Sequence, residues 1–183
     1  MKKIAVLFVF IIGSLNSRAQ QNMISVEGGW AMADLEEVST SMNGWRIAGL
    51  YEFNPYAGKV THGISFGYVG MSTDVMVGAT NIHYELGSFP VYYAPGLLLG
   101  KDKFKFQLKG ALGWQFSNIN RTGLLIETKN SDGGITLGAG AGGLYNINSN
   151  TFLNFGYEFL FMDNSFYLDE FLHTIKLGLG FKF

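Results

Sequence analysis

Nine charged residues offer the first candidates for chemistry: Glu27, Arg46, Glu52, Glu85, Lys105, Lys109, Glu158, Lys176 and Lys182. Each lies in a stretch that alternates apolar with polar or small residues, and each occupies the polar phase. In an extended chain alternate side chains share a face, so all nine are expected on one side of a sheet. Four carboxylates and five cations in one enclosure could serve as an ion path gated by a breakable salt bridge. They could instead form a packed polar plug, because buried charges must be paired.

Other motifs carry less. Gly138-Ala139-Gly140-Ala141-Gly142-Gly143 contains a literal G-x-G-x-x-G. A dinucleotide site needs that motif between a strand and a helix. Here it sits within an alternating segment and runs on into Leu144-Tyr145, so its glycines read as small residues in a crowded place. His62 and Ser65 suggest a hydrolase, but their opposite parity points them to opposite faces. His83 shares the phase of Glu85 and is expected beside it; His173 falls in the apolar phase of the last segment. Three histidines far apart and no H-E-x-x-H give no zinc site. No nucleophile, base and orienting group assemble, and the expectation is a protein without catalytic residues, cofactor or metal.

The elements that must position these charges are strands. Ile175, Leu177, Leu179, Phe181 and Phe183 alternate with Thr174, Lys176, Gly178, Gly180 and Lys182. Phe104, Phe106, Leu108, Leu112, Trp114 and Phe116 alternate with Lys105, Gln107, Lys109, Ala111, Gly113 and Gln115. The same period recurs around Val26, Ile47, Phe66 and Tyr157, and more weakly through Ile82, Tyr84 and Leu86. Eight strands are expected, near residues 23–33, 44–54, 60–71, 80–97, 103–117, 134–147, 151–163 and 172–183. Pro90 and Pro95 are expected to bulge the fourth, because proline cannot donate to a ladder.

Residue size orients the two faces. The polar phase is rich in glycine and alanine, as a narrow lumen requires, and the apolar phase is long and aromatic. A Lys or Arg facing lipid at mid-membrane costs roughly 2–4 kcal/mol, whereas in a lumen it can pair with an acid. Strands of this length can cross hydrocarbon when tilted. An open edge in lipid leaves backbone groups without partners, so the sheet must close. The expected fold is all-β: an eight-stranded antiparallel transmembrane up-and-down barrel. Short connections are expected at Asn54–Lys59, Lys101–Lys103 and Asn148–Asn150. Longer loops are expected at Asp34–Asn43, Ser72–Ala79, Asn118–Gly133 and Asp163 to about Phe171. Short turns at the periplasmic rim and long loops outside are the outer-membrane pattern, which places both chain ends in the periplasm. Trp30, Trp45, Trp114 and Phe116 would form one interfacial girdle, and Phe53, Tyr56, Phe104, Phe181 and Phe183 the other.

The first twenty residues read as a targeting device. Lys2 and Lys3 precede an apolar run from Ile4 to Ile12, and Ser17-Arg18-Ala19 supplies small residues for cleavage before Gln20. The expected division is a signal peptide at 1–19 and a barrel domain at 20–183. Loss of Lys2, Lys3 and Arg18 would leave 10 basic and 14 acidic residues, a net charge of −4. That excludes a general nucleic-acid binder, which needs a basic face. The absence of cysteine removes disulfides and thiolate metal sites. The expected outer loops are acidic: Asp34, Glu36, Glu37, Asp74, Glu127, Asp132, Asp163, Asp169 and Glu170 face only Arg121 and Lys129. They could hold divalent cations against lipopolysaccharide, bind a basic partner, or simply be solvated.

The ending Leu177-Gly178-Leu179-Gly180-Phe181-Lys182-Phe183, the stretch from Tyr84-Glu85-Leu86 through Pro90, and Phe104 to Gly113 carry a family resemblance. The chain resembles the small outer-membrane β-barrel proteins of the OmpA/OmpX type, and especially the porin-family barrel domains common in Bacteroidota, over roughly residues 23–183. The resemblance implies an integral protein of a Gram-negative outer membrane. Its partners would be outer-membrane lipids and lipopolysaccharide, with the barrel-assembly machinery reading Phe181 and Phe183 during insertion. A monomer with no nucleic-acid partner is expected. Two functions stay open: a structural or surface-interaction role over a plugged polar lumen, and a narrow pore or small-molecule transport path. The narrow interior of an eight-stranded barrel, which side chains can fill, favours the plug.

Overall fold

Alternating segments leave one face of each strand apolar and the other polar, and in the computed structural model the sheet curls until both faces are satisfied. The structure describes residues 21–35, 40–54, 58–101, 103–123, 126–163 and 167–183. The expected leader at 1–19 lies outside the described residues, as do Glu36, Glu37, Tyr56 and Asp102.

The strands are β1 (Gln21–Leu35), β2 (Thr40–Asn54), β3 (Val60–Val77), β4 (Thr80–Tyr93), β5 (Gly96–Lys101), β6 (Phe104–Gly123), β7 (Ile126–Asn146), β8 (Thr151–Met162) and β9 (Tyr167–Lys182). Every pairing is antiparallel, and β1 pairs with both β2 and β9, so the sheet closes on itself. β4 and β5 are two halves of one stave. β3 pairs with both through Ile64↔Tyr93 and Thr61↔Gly96, and β6 pairs with both through Leu112↔Tyr93 and Lys109↔Gly96. Nine strands therefore build an eight-staved barrel.

The expected bulge in the fourth stave is absent. Gly96 lies three positions beyond Tyr93, and their partners on each side are also three positions apart, so the register does not slip. Proline costs this stave ladder bonds and nothing more. Pro90 keeps its place opposite Gln115 on β6, while pairing to β3 lapses beside it. At Pro95 the gap is closed by hydrogen bonds from Ala94 N to Gly63 O (2.8 Å) and from Gly110 N to Pro95 O (2.8 Å).

At the rim away from the chain ends, the segments expected as long loops are largely strand. β3 and β4 meet at a two-residue turn, Gly78-Ala79, where Gly78 has φ 64°, a left-handed conformation that glycine adopts without strain. β6 and β7 stay paired from Asn118↔Ser131 up to Gly123↔Ile126. Asn118, Asn120, Asn130, Ser131 and Asp132 are weak strand formers, but the ladder below them supplies hydrogen-bond partners, and tertiary context overrides propensity. Among the described residues β3 beyond Ser72 pairs only with β4, and β7 from Ile126 to Gly134 pairs only with β6. A four-stranded sheet, β3-β4-β6-β7, thus rises above the closed ring, and no described strand ladders onto its two outer edges. The opposite rim has the short turn at Asn148–Asn150, where Asn148 Oδ1 accepts bonds from Asn150 N (2.9 Å) and Thr151 N (2.7 Å).

The apolar phase forms the outer wall. Trp30, Trp45, Trp114, Phe116, Phe104, Phe181 and Phe183 are all exposed there. The polar phase turns inward, and the paired charges occupy the middle of the interior, between two apolar clusters. Toward the raised sheet it is filled by Leu35, Met42, Met71, Tyr84, Leu86, Ile119, Leu160, Met162 and Leu172. Toward the chain ends lies a smaller apolar set of Met23, Leu98, Leu144 and Phe152.

Candidate functional site

The charges in the middle of the lumen come from five staves, and the period of two aims each side chain inward. Arg46 of β2 sits at the centre and is only 3 % exposed. Its Nη1 pairs with Glu158 of β8, and its Nη2 donates to the Tyr92 hydroxyl at 2.6 Å. Tyr92 OH in turn donates to Glu158, 3.0 Å from Oε1 and 3.1 Å from Oε2. Lys176 of β9 bridges two acids, with its Nζ 2.9 Å from Glu158 Oε2 and 2.8 Å from Glu27 Oε2. Asn154 Nδ2 donates to the other oxygen of Glu27 at 2.6 Å.

A second cluster lies toward the chain ends. Lys109 Nζ is 3.2 Å from Glu52 Oε2, and Glu52 Oε1 accepts from Gln107 Nε2 (3.2 Å) and Thr61 Oγ1 (3.1 Å). Glu27, Glu52 and Glu158 therefore balance Arg46, Lys109 and Lys176. A charge taken from water costs several kcal/mol unless paired and hydrogen-bonded, and here each carboxylate has both. The space left within this lattice is a cavity of about 20 Å³ beside Glu27, Lys109, Glu158 and Lys176, room for roughly one water molecule.

Six of the nine charges singled out in the sequence meet in this lattice. Lys105 and Lys182 also turn inward, but at the mouth near the chain ends, away from the acids. Lys182 is bonded to Asn146 Oδ1 and lies over the Phe152 ring at 5.5 Å. Glu85 is a correction: the sequence pattern assigns it to the lumen, and its side chain is 60 % exposed on the outside. Phe89, Val91 and Tyr93 set the phase of β4 by facing lipid, and with no bulge above them that parity carries Glu85 and His83 outward while Tyr84 and Leu86 turn in. His83 is likewise outside the lumen, with Nδ1 2.9 Å from Asp74 Oδ1 and Nε2 3.4 Å from Glu85 Oε1. The hydrogen bond to Asp74 raises its pKa above the ordinary histidine value.

Tyr92, Gln107, Thr61 and Asn154 complete the network and were not singled out from sequence. Gln107 and Asn154 share the phase of Lys109 and Glu158; Tyr92 was hidden by the same phase error that misplaced Glu85. His62 and Ser65 do face opposite ways: Ser65 is buried, while His62 lies outside, stacked on Phe53 at 5.3 Å between ring centres and bonded to Tyr93 OH. His173 is bonded to Tyr157 OH at 2.5 Å on the same outer wall. The glycine-rich motif lies inside β7, followed by more strand. Among the described residues no group of three or more His, Asp or Glu is placed to hold a metal ion, and no helix is long and apolar enough to cross a membrane.

The architecture recurs in solved structures. Neisserial surface protein A matches with a TM-score of 0.65 at 13 % identity, over 88 % of this chain and 97 % of that one. Ail, the attachment invasion locus protein of Yersinia pestis, matches at 0.61 and 17 % identity, over 89 % and 98 %. A major outer membrane protein from Thermus thermophilus matches at 0.59 and 12 % identity, over 88 % and 99 %. At such identities the likeness is one of fold. No curated protein matches the chain in sequence. The family described as outer membrane protein beta-barrel domain matches residues 4–183. A closed ring with apolar side chains outside and paired charges within is what such a family requires, and the chain belongs to it: it is an outer-membrane β-barrel protein.

Proposed function

We propose that this barrel is a non-enzymatic surface-interaction protein: the raised sheet is its working part, and the lumen is a closed structural plug. The observation that carries this reading is the four-stranded sheet whose two outer edges have no strand partner among the described residues, standing over a lumen that holds paired charges and an apolar layer. An unpaired edge accepts a further strand from a partner through main-chain hydrogen bonds, with alternate side chains giving specificity. Two fold neighbours have names of the same kind, a surface protein and an attachment invasion locus protein.

The reading has a topology. Residues 1–19 are a cleaved signal peptide and 20–183 the barrel domain, both chain ends face the periplasm, and the raised sheet faces outward. The barrel is a monomer in lipid and lipopolysaccharide. Phe181 and Phe183, exposed on the outer wall of the last stave, serve as the signal for the assembly machinery. Cells displaying the protein are compared with cells whose β6–β7 hairpin is cut back to a short turn above Gln115 and Gly134. Adhesion to a protein-coated surface should fall to background in the variant while the barrel still inserts. Equal adhesion by both would refute a surface role. Steady single-channel conductance in a planar bilayer would refute the plug and favour a narrow pore.

A further inference from the structure

The lumen mouth at the chain-end rim departs from the charge rule obeyed deeper in. Lys105 and Lys182 turn into it from β6 and β9, and Lys103 joins them from the adjoining turn. Together with Asn146, Asn148 and Ser149 they line an open recess of about 430 Å³. Among the described residues no carboxylate lines it, and neither Lys105 nor Lys182 pairs with an acid.

Lys182 is the telling member. The residue is only 6 % exposed, yet its ammonium, with three N–H groups to place, has Asn146 Oδ1 and the Phe152 ring as partners. Lys109 and Lys176, comparably covered, each meet a carboxylate. A buried cation without a counterion is costly, and neighbouring cations add repulsion.

We propose that this mouth is an oxyanion site that takes a phosphate group, with Lys105 and Lys182 as its charged ligands and Lys103 closing the rim. Three ammonium groups supply several N–H donors around one recess, which suits the oxygens of a phosphate. A phosphate can arrive on a soluble compound or on a lipid headgroup, and the chemistry of the site is the same for both.

The protein, refolded in dodecyl maltoside micelles, which hold no phosphate, is titrated with inorganic phosphate at constant ionic strength, and backbone amide resonances are followed by NMR. Saturable shifts at Lys105, Asn146 and Lys182 are expected. Lys105→Gln combined with Lys182→Met should weaken the affinity by ~10-fold or more, and Lys129→Gln at the far end should leave it unchanged. A second titration of the same micelles with a short-chain phosphatidylglycerol identifies the carrier. Tighter saturation by the lipid assigns the site to a headgroup, and saturation by inorganic phosphate alone assigns it to a soluble phosphate. No saturable shift in either titration, or a saturable shift that the double variant retains, overturns the proposal. The wild-type titrations decide the matter alone if the variant does not fold.

Discussion

Glu158→Gln removes one negative charge from the most enclosed part of the lumen. Glu158 accepts from Arg46 Nη1, from Tyr92 OH at 3.0 and 3.1 Å, and from Lys176 Nζ at 2.9 Å. Glutamine keeps one acceptor oxygen and turns the other position into a donor, which must face either the guanidinium or the ammonium. Lys176 retains Glu27 at 2.8 Å, but Arg46 loses the carboxylate it is paired with. Breaking a buried pair by removing one partner costs about 3–5 kcal/mol. Because Lys176 keeps an acid, the lower end applies, about 3 kcal/mol. Adding Arg46→Gln restores neutrality, so the double variant should lose less than the sum of the singles, with a coupling of about 2 kcal/mol. Urea unfolding in lipid vesicles reads this through Trp30, Trp45 and Trp114, which all sit on the outer wall and pass from lipid to water. A loss below about 0.5 kcal/mol, or strictly additive singles, would mean that water screens these charges, and the closed-lumen reasoning would fail.

Three further outcomes are expected. Leu177→Arg places a cation on the lipid face at a position 61 % exposed on the outer wall and should cost roughly 2–4 kcal/mol in the same unfolding assay; an unchanged midpoint would contradict the orientation of the wall. Gly142→Val should prevent closure, because a Cβ there would run into the Phe155 carbonyl oxygen of the neighbouring strand, and strand backbones cannot move apart without losing ladder bonds; a variant that still shows the heat-modifiable mobility of the folded barrel would refute this. His83 has a raised pKa, so its contacts with Asp74 and Glu85 contribute below its unfolded pKa of about 6.5 and are lost as pH rises through the higher folded value. Hydrogen exchange at Asn81–Glu85 should therefore quicken beyond the intrinsic pH effect over that window, and His83→Gln should abolish the extra acceleration.

The barrel was legible because its two faces obey different constraints. Lipid excludes charge from one, and the narrow lumen demands small or paired residues on the other, so Leu177, Lys176 and Gly178 reveal their sides by type alone. That logic ends where the lipid ends. Above the membrane, Ile82, Tyr84 and Leu86 are apolar yet turn inward, into the layer around Leu160 and Met162. Read by hydrophobicity alone they take the wrong face and carry Glu85 with them. Parity counted upward from Phe89, Val91 and Tyr93 gives the right answer. The strand extensions at Asn118–Gly123 and Ile126–Gly133 were illegible for a related reason. Most of their residues are polar, with Asn118, Asn120, Asn130, Ser131 and Asp132 weak strand formers, and pairing across the hairpin makes them extended. The pairing within the lattice depends on relative stave height, which the register sets and no single strand records.

The meeting of the first and last staves has a consequence for how the molecule is made. Met23 to Ala33 run opposite Lys182 to Leu172 in unbroken register, so the ring cannot be completed until the final residues are present. A chain lacking β9 would offer bare backbone along both β1 and β8, and hydrocarbon offers those groups no substitute partner. Growth one hairpin at a time within the bilayer is thereby penalised at every intermediate stage. Entry into the membrane and the joining of the two termini should be a single event, late in the life of the newly synthesised polypeptide.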